Sequence, residues 1–220
     1  MAPRTYGDRT LSPNQEFRRT EILDATTRLL RTRGVAACTV RAIAKEAGTS
    51  NGVIHYYFTD AQELTDLGFL RLAQDYYEHI RGQAAQIPDP VEALWHTVVT
   101  YVTPWGVHTS MPLLWCEYYV AAMRTKRPDG VVATQQAMTD LFAYALERVS
   151  PTLVRHAAAL TRHVTGAVLS QPQVPVDLGD LVGEIARIIE VPAPDTTDFS
   201  CREDDCSFHS SDPVRRQRPA

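Results

Sequence analysis

The chain has 220 residues, a hydrophobic content of 44% and a formal net charge of −4, which suits one large domain or a small domain joined to a larger one. The sequence shows neither a basic-then-apolar N-terminal signal nor an apolar run long enough for a bilayer, so we expect a cytoplasmic protein. The cysteines are too few for a disulfide scaffold; they are Cys38, Cys116, Cys201 and Cys206.

Charge is unevenly distributed along the chain. Residues 1–60 contain nine Arg/Lys and six Asp/Glu, a net charge of +3, whereas residues 61–220 contain thirteen and twenty, a net charge of −7. A basic N-terminal part on an acidic remainder is expected if only the N-terminal part meets phosphates.

The first elements are short and sharply bounded. Residues 1–15 carry prolines and a glycine without hydrophobic periodicity, which predicts a flexible arm. Residues 16–33 place apolar side chains at three- and four-residue steps, which predicts an amphipathic helix ending at Gly34. Thr39 is placed to cap a second helix, and Gly48 supplies the turn after it.

The next segment completes a motif. Ser50 is placed to cap a third helix over residues 51–57. Two short helices joined by a tight turn are typical of a helix-turn-helix, whose second helix enters the major groove of DNA. Asp60 followed by Glu63 predicts a capping box for a fourth helix that runs toward residue 85.

Prolines punctuate the rest of the chain. Further helices are predicted over residues 91–102, 111–127, 130–149, 152–169 and 178–189. Because no alternating strand pattern accompanies them, the predicted fold class is all-α with about nine helices. Residues 192–220 are polar and proline-rich, which predicts a disordered tail.

The stretch TVRAIAKEAG, then TSNGVIHYYF, then a capped helix at Gln62-Glu63-Leu64 resembles the TetR family of bacterial transcription regulators over about residues 16–70. The resemblance implies a homodimer that binds a pseudo-palindromic double-stranded DNA operator. It also implies a C-terminal helical domain that holds a small-molecule effector and dimerises through its last two helices. The implied domains are an arm (1–15), a helix-turn-helix domain (16–60), an effector-binding and dimerisation domain (61–191) and a tail (192–220).

Two positions depart from that family. Ala61 stands where members usually carry a lysine that contacts a phosphate, so affinity and salt dependence are both expected to be lower. His55 stands where a tyrosine is usual, which changes what the middle of the recognition helix offers to a base. Both departures leave the operator sequence open.

The side chains of the recognition helix suggest specific contacts. Asn51 can make the bidentate contact to adenine, and Val53 can touch a thymine methyl group. His55 can donate to a guanine acceptor or meet a phosphate, depending on its tautomer. The full predicted DNA-binding set is Thr39, Arg41, Thr49, Ser50, Asn51, Gly52, Val53, His55, Tyr56 and Tyr57.

The remaining members of this set act through size, charge or hydroxyl groups. The small residues at positions 49–52 let the backbone approach the groove. Arg41 matches a family position that reaches guanine, and its planar fork suits O6 and N7. The hydroxyls of Thr39, Ser50, Tyr56 and Tyr57 suit phosphate oxygens, although both tyrosines are also compatible with a core position. The predicted core of the motif comprises Ile43, Ile54, Phe58 and Leu64.

The middle of the chain is rich in large side chains of the kind that line apolar ligand pockets. Glu117, His108 and the tyrosine hydroxyls are candidates for orienting a polar group of an apolar or aromatic effector. The alternative is that these side chains form an ordinary core. The predicted ligand-binding set is Trp95, Tyr101, Trp105, His108, Met111, Trp115, Glu117, Tyr118, Tyr119, Met123 and Phe142.

The last two helices carry more apolar residues than one helix face needs, which favours a dimer interface, with burial inside one chain as the alternative. These residues are Leu153, Ala157, Leu160, Val164, Ala167, Val168, Leu181, Val182, Ile185, Ile188 and Ile189. The expected mechanism is a population shift in which an effector changes the angle of the fourth helix and so the spacing of the two DNA-binding heads.

Two other functions are compatible with parts of the sequence. One is an all-α enzyme with His108 and Glu117 as an acid/base pair, which would leave the N-terminal motif without a function. The other is a regulator without an effector, whose cavity would be filled by side chains. We expect no cofactor, because phosphate loops and nucleophile elbows are missing from the sequence. We also expect no metal, since Cys201, Cys206 and His209 supply only three ligands.

Overall fold

The computed structural model of the chain describes residues 11–103, 111–170 and 177–194. Within these ranges it contains nine α-helices and no strand, which confirms the predicted all-α class. The helices are α1 (Pro13–Arg33), α2 (Val40–Glu46), α3 (Asn51–Tyr57), α4 (Ala61–Ala85), α5 (Pro90–Val102), α6 (Met111–Arg124), α7 (Asp129–Val149), α8 (Ala157–Ser170) and α9 (Leu178–Ile189). In the described part of the chain, none of them combines the length and apolarity needed to cross a membrane.

The first helix begins earlier than its hydrophobic pattern predicts. α1 starts at Pro13 rather than residue 16, because Ser12 and Gln15 form a capping box. Pro13 occupies the first helical position, where a missing backbone N–H removes no hydrogen bond. The end of α1 at Gly34 is as predicted; this glycine has φ 76°, which few other residues adopt.

The helix-turn-helix forms through the predicted local signals. The Thr39 hydroxyl accepts a hydrogen bond from the Ala42 N–H at 3.2 Å and thereby caps α2. The Ser50 hydroxyl accepts from the Val53 N–H at 3.3 Å and caps α3. Gly48 lies between them at φ 61°, in the left-handed region that favours glycine.

The capping box predicted for α4 is present in a modified form. The Asp60 carboxylate accepts from the Glu63 N–H at 2.8 Å, as predicted. The Glu63 carboxylate, however, accepts from the Thr59 N–H at 2.7 Å and not from Asp60. The Glu63 N–H, an unpaired donor of the first turn, is satisfied as predicted, so Asp60 still caps the start of α4.

Two further boundaries differ from the prediction. α6 ends at Arg124 and not at residue 127, because Lys126 adopts φ 56° and the next N–H, that of Arg127, bonds back to the Ala122 carbonyl. The segment predicted as one helix over residues 152–169 instead begins as a 3₁₀ helix, Pro151–His156, before α8. Its start is set by the Ser150 hydroxyl and by proline at the first position.

The described residues fall into two compact units. The first unit comprises the described residues up to Leu72 together with Glu117–Gly130. The second unit comprises the described residues of Ala73–Cys116 and those from Val131 onward. Both α4 and α6 contribute residues to each unit. The domain boundaries proposed at residues 15, 60 and 191 stay predictions.

The core of the first unit is the predicted one. Ile43, Ile54, Phe58 and Leu64 are each 0% exposed. α1 and α4 pack closely where Gly68 meets Thr26, since a Cβ at position 68 would lie 2.9 Å from the Thr26 methyl group. The first unit therefore holds α2 and α3 on a fully buried support.

The second unit is built on α5, α7, α8 and α9. Most residues of the predicted dimer interface are buried inside the single chain. This agrees with the alternative explanation for the large number of apolar residues on the last two helices. The buried ones are Ala157, Leu160, Val164, Val168, Leu181, Val182, Ile185 and Ile189. Leu153, Ala167 and Ile188 stay partly exposed.

Candidate nucleic-acid interface

The recognition helix α3 presents one polar face to solvent. Asn51, Gly52, His55 and Tyr56 are exposed, whereas Ile54 is 0% exposed. At 3.6 residues per turn these four exposed positions fall within an arc of about 140° that does not include the buried residue. The arc is wide enough to approach base edges with several side chains at once.

The start of α2 lies close to α3 in the chain and is also exposed. Thr39 and Arg41 both face solvent. The turn that joins the two helices is fixed by a hydrogen bond from the Thr49 N–H to the Ala44 carbonyl at 2.9 Å. The structure thus presents the predicted residues of both helices within one compact unit.

Three members of the predicted set are only half-buried: Thr49, Val53 and Tyr57. The rings of Tyr56 and Tyr57 meet edge to face, with centroids 4.8 Å apart. Tyr57 therefore serves partly as packing for α3, while Tyr56, with 54% of its surface exposed, does not. Of the two tyrosines, Tyr56 is the better candidate for a phosphate contact.

Three hydroxyls in this region share one hydrogen-bonding pattern. Thr39 and Ser50 accept from backbone N–H groups as caps, and the Tyr56 hydroxyl accepts from Gln15 Nε2 at 2.9 Å. A hydroxyl that accepts one bond still has its own proton to donate. All three can therefore donate to phosphate oxygens, which only accept.

Charged side chains lie on the neighbouring helices α1 and α2. Arg41 and Lys45 are exposed on α2. Arg28 Nε lies 3.0 Å from Glu46 Oε1, so the acidic residue at the end of α2 is offset by a cation. This pairing reduces the repulsion that a lone carboxylate would exert on DNA.

A second ion pair lies at the start of α4, beside Ala61. Arg127 Nη1 is 2.7 Å from Asp60 Oδ2. Burial alone would raise the pKa of Asp60, but hydrogen bonds from the Glu63 N–H and the Arg127 guanidinium lower it. The carboxylate stays ionised and keeps Arg127 beside the position where the resemblance implies a lysine.

Four predicted ligand-binding residues belong to the first unit. Glu117 Oε2 accepts from the Val35 N–H at 3.1 Å and would lie 2.7 Å from a Cβ at Gly34. Tyr118 is 0% exposed, and its hydroxyl donates to Asp66 Oδ1 at 3.0 Å. These two side chains hold α6 against the segment that follows α1 and against α4, respectively.

Burial affects the protonation of the Tyr118 hydroxyl in its hydrogen bond to Asp66. Burial raises the pKa of Tyr118, and the neighbouring Asp66 raises it further, so the phenol stays protonated. The ring of Tyr118 stacks on Phe69 with centroids 4.1 Å apart. The remaining predicted residues of α6 in this unit, Tyr119 and Met123, are 47% and 39% exposed.

The second unit holds Trp95, Tyr101, Trp115 and Phe142, all buried. Trp95 Nε1 donates to the Pro192 carbonyl at 2.9 Å. Tyr101 and Phe142 meet with ring centroids 5.6 Å apart, and the Tyr101 hydroxyl donates to the sulfur of Met138 at 3.2 Å. The predicted ligand-binding residues are thus divided between two units. Trp105 and His108 lie outside the described residues, as does the side chain of Met111.

The described part of the chain also contains potential metal ligands and two free cysteines, of which Cys38 is buried and Cys116 is exposed. In residues 11–103, 111–170 and 177–194, no group of three His, Cys, Asp or Glu side chains is arranged to hold a metal. Burial raises the pKa of Cys38 to about 11, so its thiol is protonated and unreactive at neutral pH. Cys201, Cys206 and His209 lie outside the described residues.

Gln15 is the residue of this surface that the sequence interpretation missed. It falls within the predicted flexible arm, yet its side chain contacts both Ser12 and Tyr56. A signal was present, since Ser12 and Gln15 have the spacing of a capping box. The contact to Tyr56, 41 residues away, left no such local pattern.

Comparison with known proteins identifies the motif. Residues 22–66 match the sequence profile of the bacterial regulatory proteins of the tetR family. The HTH-type transcriptional regulator HbdR of Aromatoleum sp. (strain CIB) is 35% identical over 86 residues, which are 39% of this chain and 38% of HbdR. The chain therefore spans well under half of the length of that relative.

Two longer similarities extend beyond the motif. The HTH-type transcriptional regulator BetI of Burkholderia thailandensis (strain ATCC 700388 / DSM 13276 / CCUG 48851 / CIP 106301 / E264) is 25% identical over 149 residues, which are 66% of this chain and 76% of BetI. The solved structure of SCO7518 from Streptomyces coelicolor A3(2), assigned as a transcriptional regulator, has a TM-score of 0.61 and 26% identity. It covers 78% of this chain and 98% of SCO7518.

Proposed function

We propose that this chain, which belongs to the TetR family of bacterial transcription regulators, is a dimeric repressor that a small apolar or aromatic effector releases from DNA. The comparisons support the coarser function, that of a helix-turn-helix DNA-binding regulator. The relatives are regulators and not enzymes, and Glu117 is already hydrogen-bonded to the Val35 N–H. An acid/base role for Glu117 with His108 is therefore set aside.

The exposed polar face of α3 is the observation that carries the DNA-binding part of the proposal. Asn51 and His55 lie one turn apart on it and are both exposed. In the proposed complex these two side chains contact base edges, and Arg41 adds a guanine contact from α2. Thr39, Ser50 and Tyr56 supply hydroxyl donors to phosphates, which fix register.

Asn51→Ala is expected to weaken binding by about 1–3 kcal/mol at one base pair of each half-site and to relax specificity there. The measurement starts with genomic fragments retained by the purified full chain, sequenced for a shared inverted repeat. Titrations of that repeat and of its single-base variants then compare the two proteins. Equal weakening on the repeat and on random duplex would show that Asn51 contacts only the backbone or nothing.

Dimerisation is proposed to use the outer faces of α8 and α9. Gly166 and Gly183 lie on these helices, and a Cβ at either position would meet nothing within 4 Å. Ala167 and Ile188, on the same two helices, remain partly exposed. Small residues on a helix surface let a second helix approach closely, so these faces suit a second copy of the chain.

Gly183→Leu is expected to convert a dimer into a monomer without unfolding the chain, because the leucine enters open space in one protomer and blocks the partner. Sedimentation equilibrium measures the mass. Gly82→Leu is a matched control, since a Cβ on α4 at that position also meets nothing within 4 Å. A monomeric wild-type chain, or a dimer that survives Gly183→Leu, would contradict this interface.

The proposed effector site uses the aromatic side chains of the second unit. Tyr76 and Tyr77 each lie with ring centroids 6.0 Å from that of Tyr101, which in turn meets Phe142. Such a cluster offers polarizable surface with a few hydroxyl groups, as small-molecule sites do. Because α4 carries Tyr76 and Tyr77 and runs unbroken over Ala61–Ala85, a ligand that shifts them can bias the recognition helices.

A regulator without an effector is the second candidate. The observation that favours it is the complete burial of Phe142 and the near-complete burial of Trp95 and Tyr101, at 0%, 1% and 3% exposure. Titration with planar hydrophobic compounds, followed by tryptophan fluorescence, separates the two. A saturable signal that also lowers operator binding supports the effector, and its absence across the panel supports the rival.

A further inference from the structure

The Gln15 side chain forms two hydrogen bonds of opposite polarity. Its Oε1 accepts from the Ser12 backbone N–H at 2.9 Å, and its Nε2 donates to the Tyr56 hydroxyl at 2.9 Å. Because a backbone N–H can only donate, the first bond fixes which end of the amide faces the tyrosine. The Tyr56 oxygen is therefore an acceptor in this pair.

That polarity determines what Tyr56 offers to DNA. The phenol has one proton, and an amide NH₂ group cannot accept it. With 54% of Tyr56 exposed, the proton is left for an outside acceptor. Phosphate oxygens are such acceptors. The hydroxyls of Thr39 and Ser50, in the same motif, also accept one hydrogen bond each and keep their own proton to donate.

We propose that Gln15 is a positioning residue for operator binding, which holds the Tyr56 hydroxyl with its O–H directed at a phosphate oxygen. The proposal rests on the DNA-binding function proposed above. Gln15 acts through Tyr56 and needs no DNA contact of its own. It links the first turn of α1 to the recognition helix, so the phosphate donor is oriented before DNA arrives and less ordering entropy is lost on binding.

Gln15→Glu tests this role, because it keeps the hydrogen bond from the Ser12 N–H and reverses the direction of the hydrogen bond with Tyr56. A glutamate retains an oxygen for the Ser12 N–H and is a favoured residue at this position of a capping box, so the thermal midpoint should not fall. Its second oxygen accepts, which turns the Tyr56 proton inward. Affinity for a genomic fragment that the wild-type chain retains is expected to fall by about tenfold.

Asn14→Glu is the matched control, because this exposed neighbour gains the same charge without meeting Tyr56. Gln15→Glu should bind about tenfold more weakly than Asn14→Glu, and the difference should vanish when Tyr56→Phe is added to both. Equal affinities of the two glutamate variants, or a difference that persists with phenylalanine, would overturn the proposal. A wild-type chain that prefers no fragment would contradict the DNA-binding function and this role with it.

Discussion

Phe58→Ala is expected to lower the free energy of unfolding by about 3–5 kcal/mol and to abolish operator binding at physiological temperature. Phe58 is 0% exposed and follows α3 directly, and the Arg19 guanidinium lies over its ring at 5.1 Å. Truncation leaves a cavity under the recognition helix that the neighbouring side chains fill only in part. Urea denaturation monitored by circular dichroism measures the loss.

Phe17→Ala is the control for this prediction. Phe17 lies on α1, carries the same ring and is 66% exposed, so its truncation is expected to change stability by less than about 0.5 kcal/mol. If both variants lose the same stability, the burial of Phe58 is not what supports the helix-turn-helix. If Phe58→Ala keeps full operator affinity, the support is not needed for binding.

The helix-turn-helix could be predicted because its signals are local. A hydroxyl at Thr39 and at Ser50, a glycine at position 48 and apolar residues at turn spacing each restrict the backbone within a few residues. They agree with one another, and agreement among independent local preferences is what specifies a structure. The buried residues Ile43 and Ile54 follow from the same periodicity.

The helix ends that were predicted wrongly lack an unambiguous residue. Lys126 adopts a left-handed conformation without being glycine, so the end of α6 left no composition signal and was placed at the following proline. In the sequence Pro13 belongs to the predicted flexible arm, although in the structure it begins α1. Proline has the same chemistry in both settings, and only the capping pair of Ser12 and Gln15 distinguishes them.

The candidate ligand-binding set shows a different limit. Glu117 and Tyr118 have the composition of a pocket, but their partners Val35 and Asp66 lie 82 and 52 residues away in the chain. Periodicity places a side chain on a helix face and does not say which distant backbone group it will meet. A polar or aromatic residue that closes such a contact therefore looks, in the sequence, like one that awaits a ligand.

Phe142→Ala is expected to cost about 3–5 kcal/mol, because this side chain is 0% exposed and packs edge-on against Tyr101. Val132→Ala is the control, because Val132 lies on the same helix and is 61% exposed. This variant should change stability by less than about 0.5 kcal/mol.

The cavity left by Phe142→Ala is apolar, and such a cavity stays dry and binds small aromatic molecules. Benzene should therefore raise the melting temperature of Phe142→Ala.

The response to ligands, and not the size of the stability loss, distinguishes a packed core from a ligand pocket, because Phe142 is fully buried in the free chain in either case. If Phe142 contributes to an effector site, the wild-type chain already admits ligands there. Planar compounds would then bind the wild-type chain saturably, and Phe142→Ala would weaken their binding. Benzene binding gained only in the variant, with no saturable binding of planar compounds to the wild-type chain, would instead assign Tyr101 and Phe142 to the core and place any effector contact on other residues of the second unit.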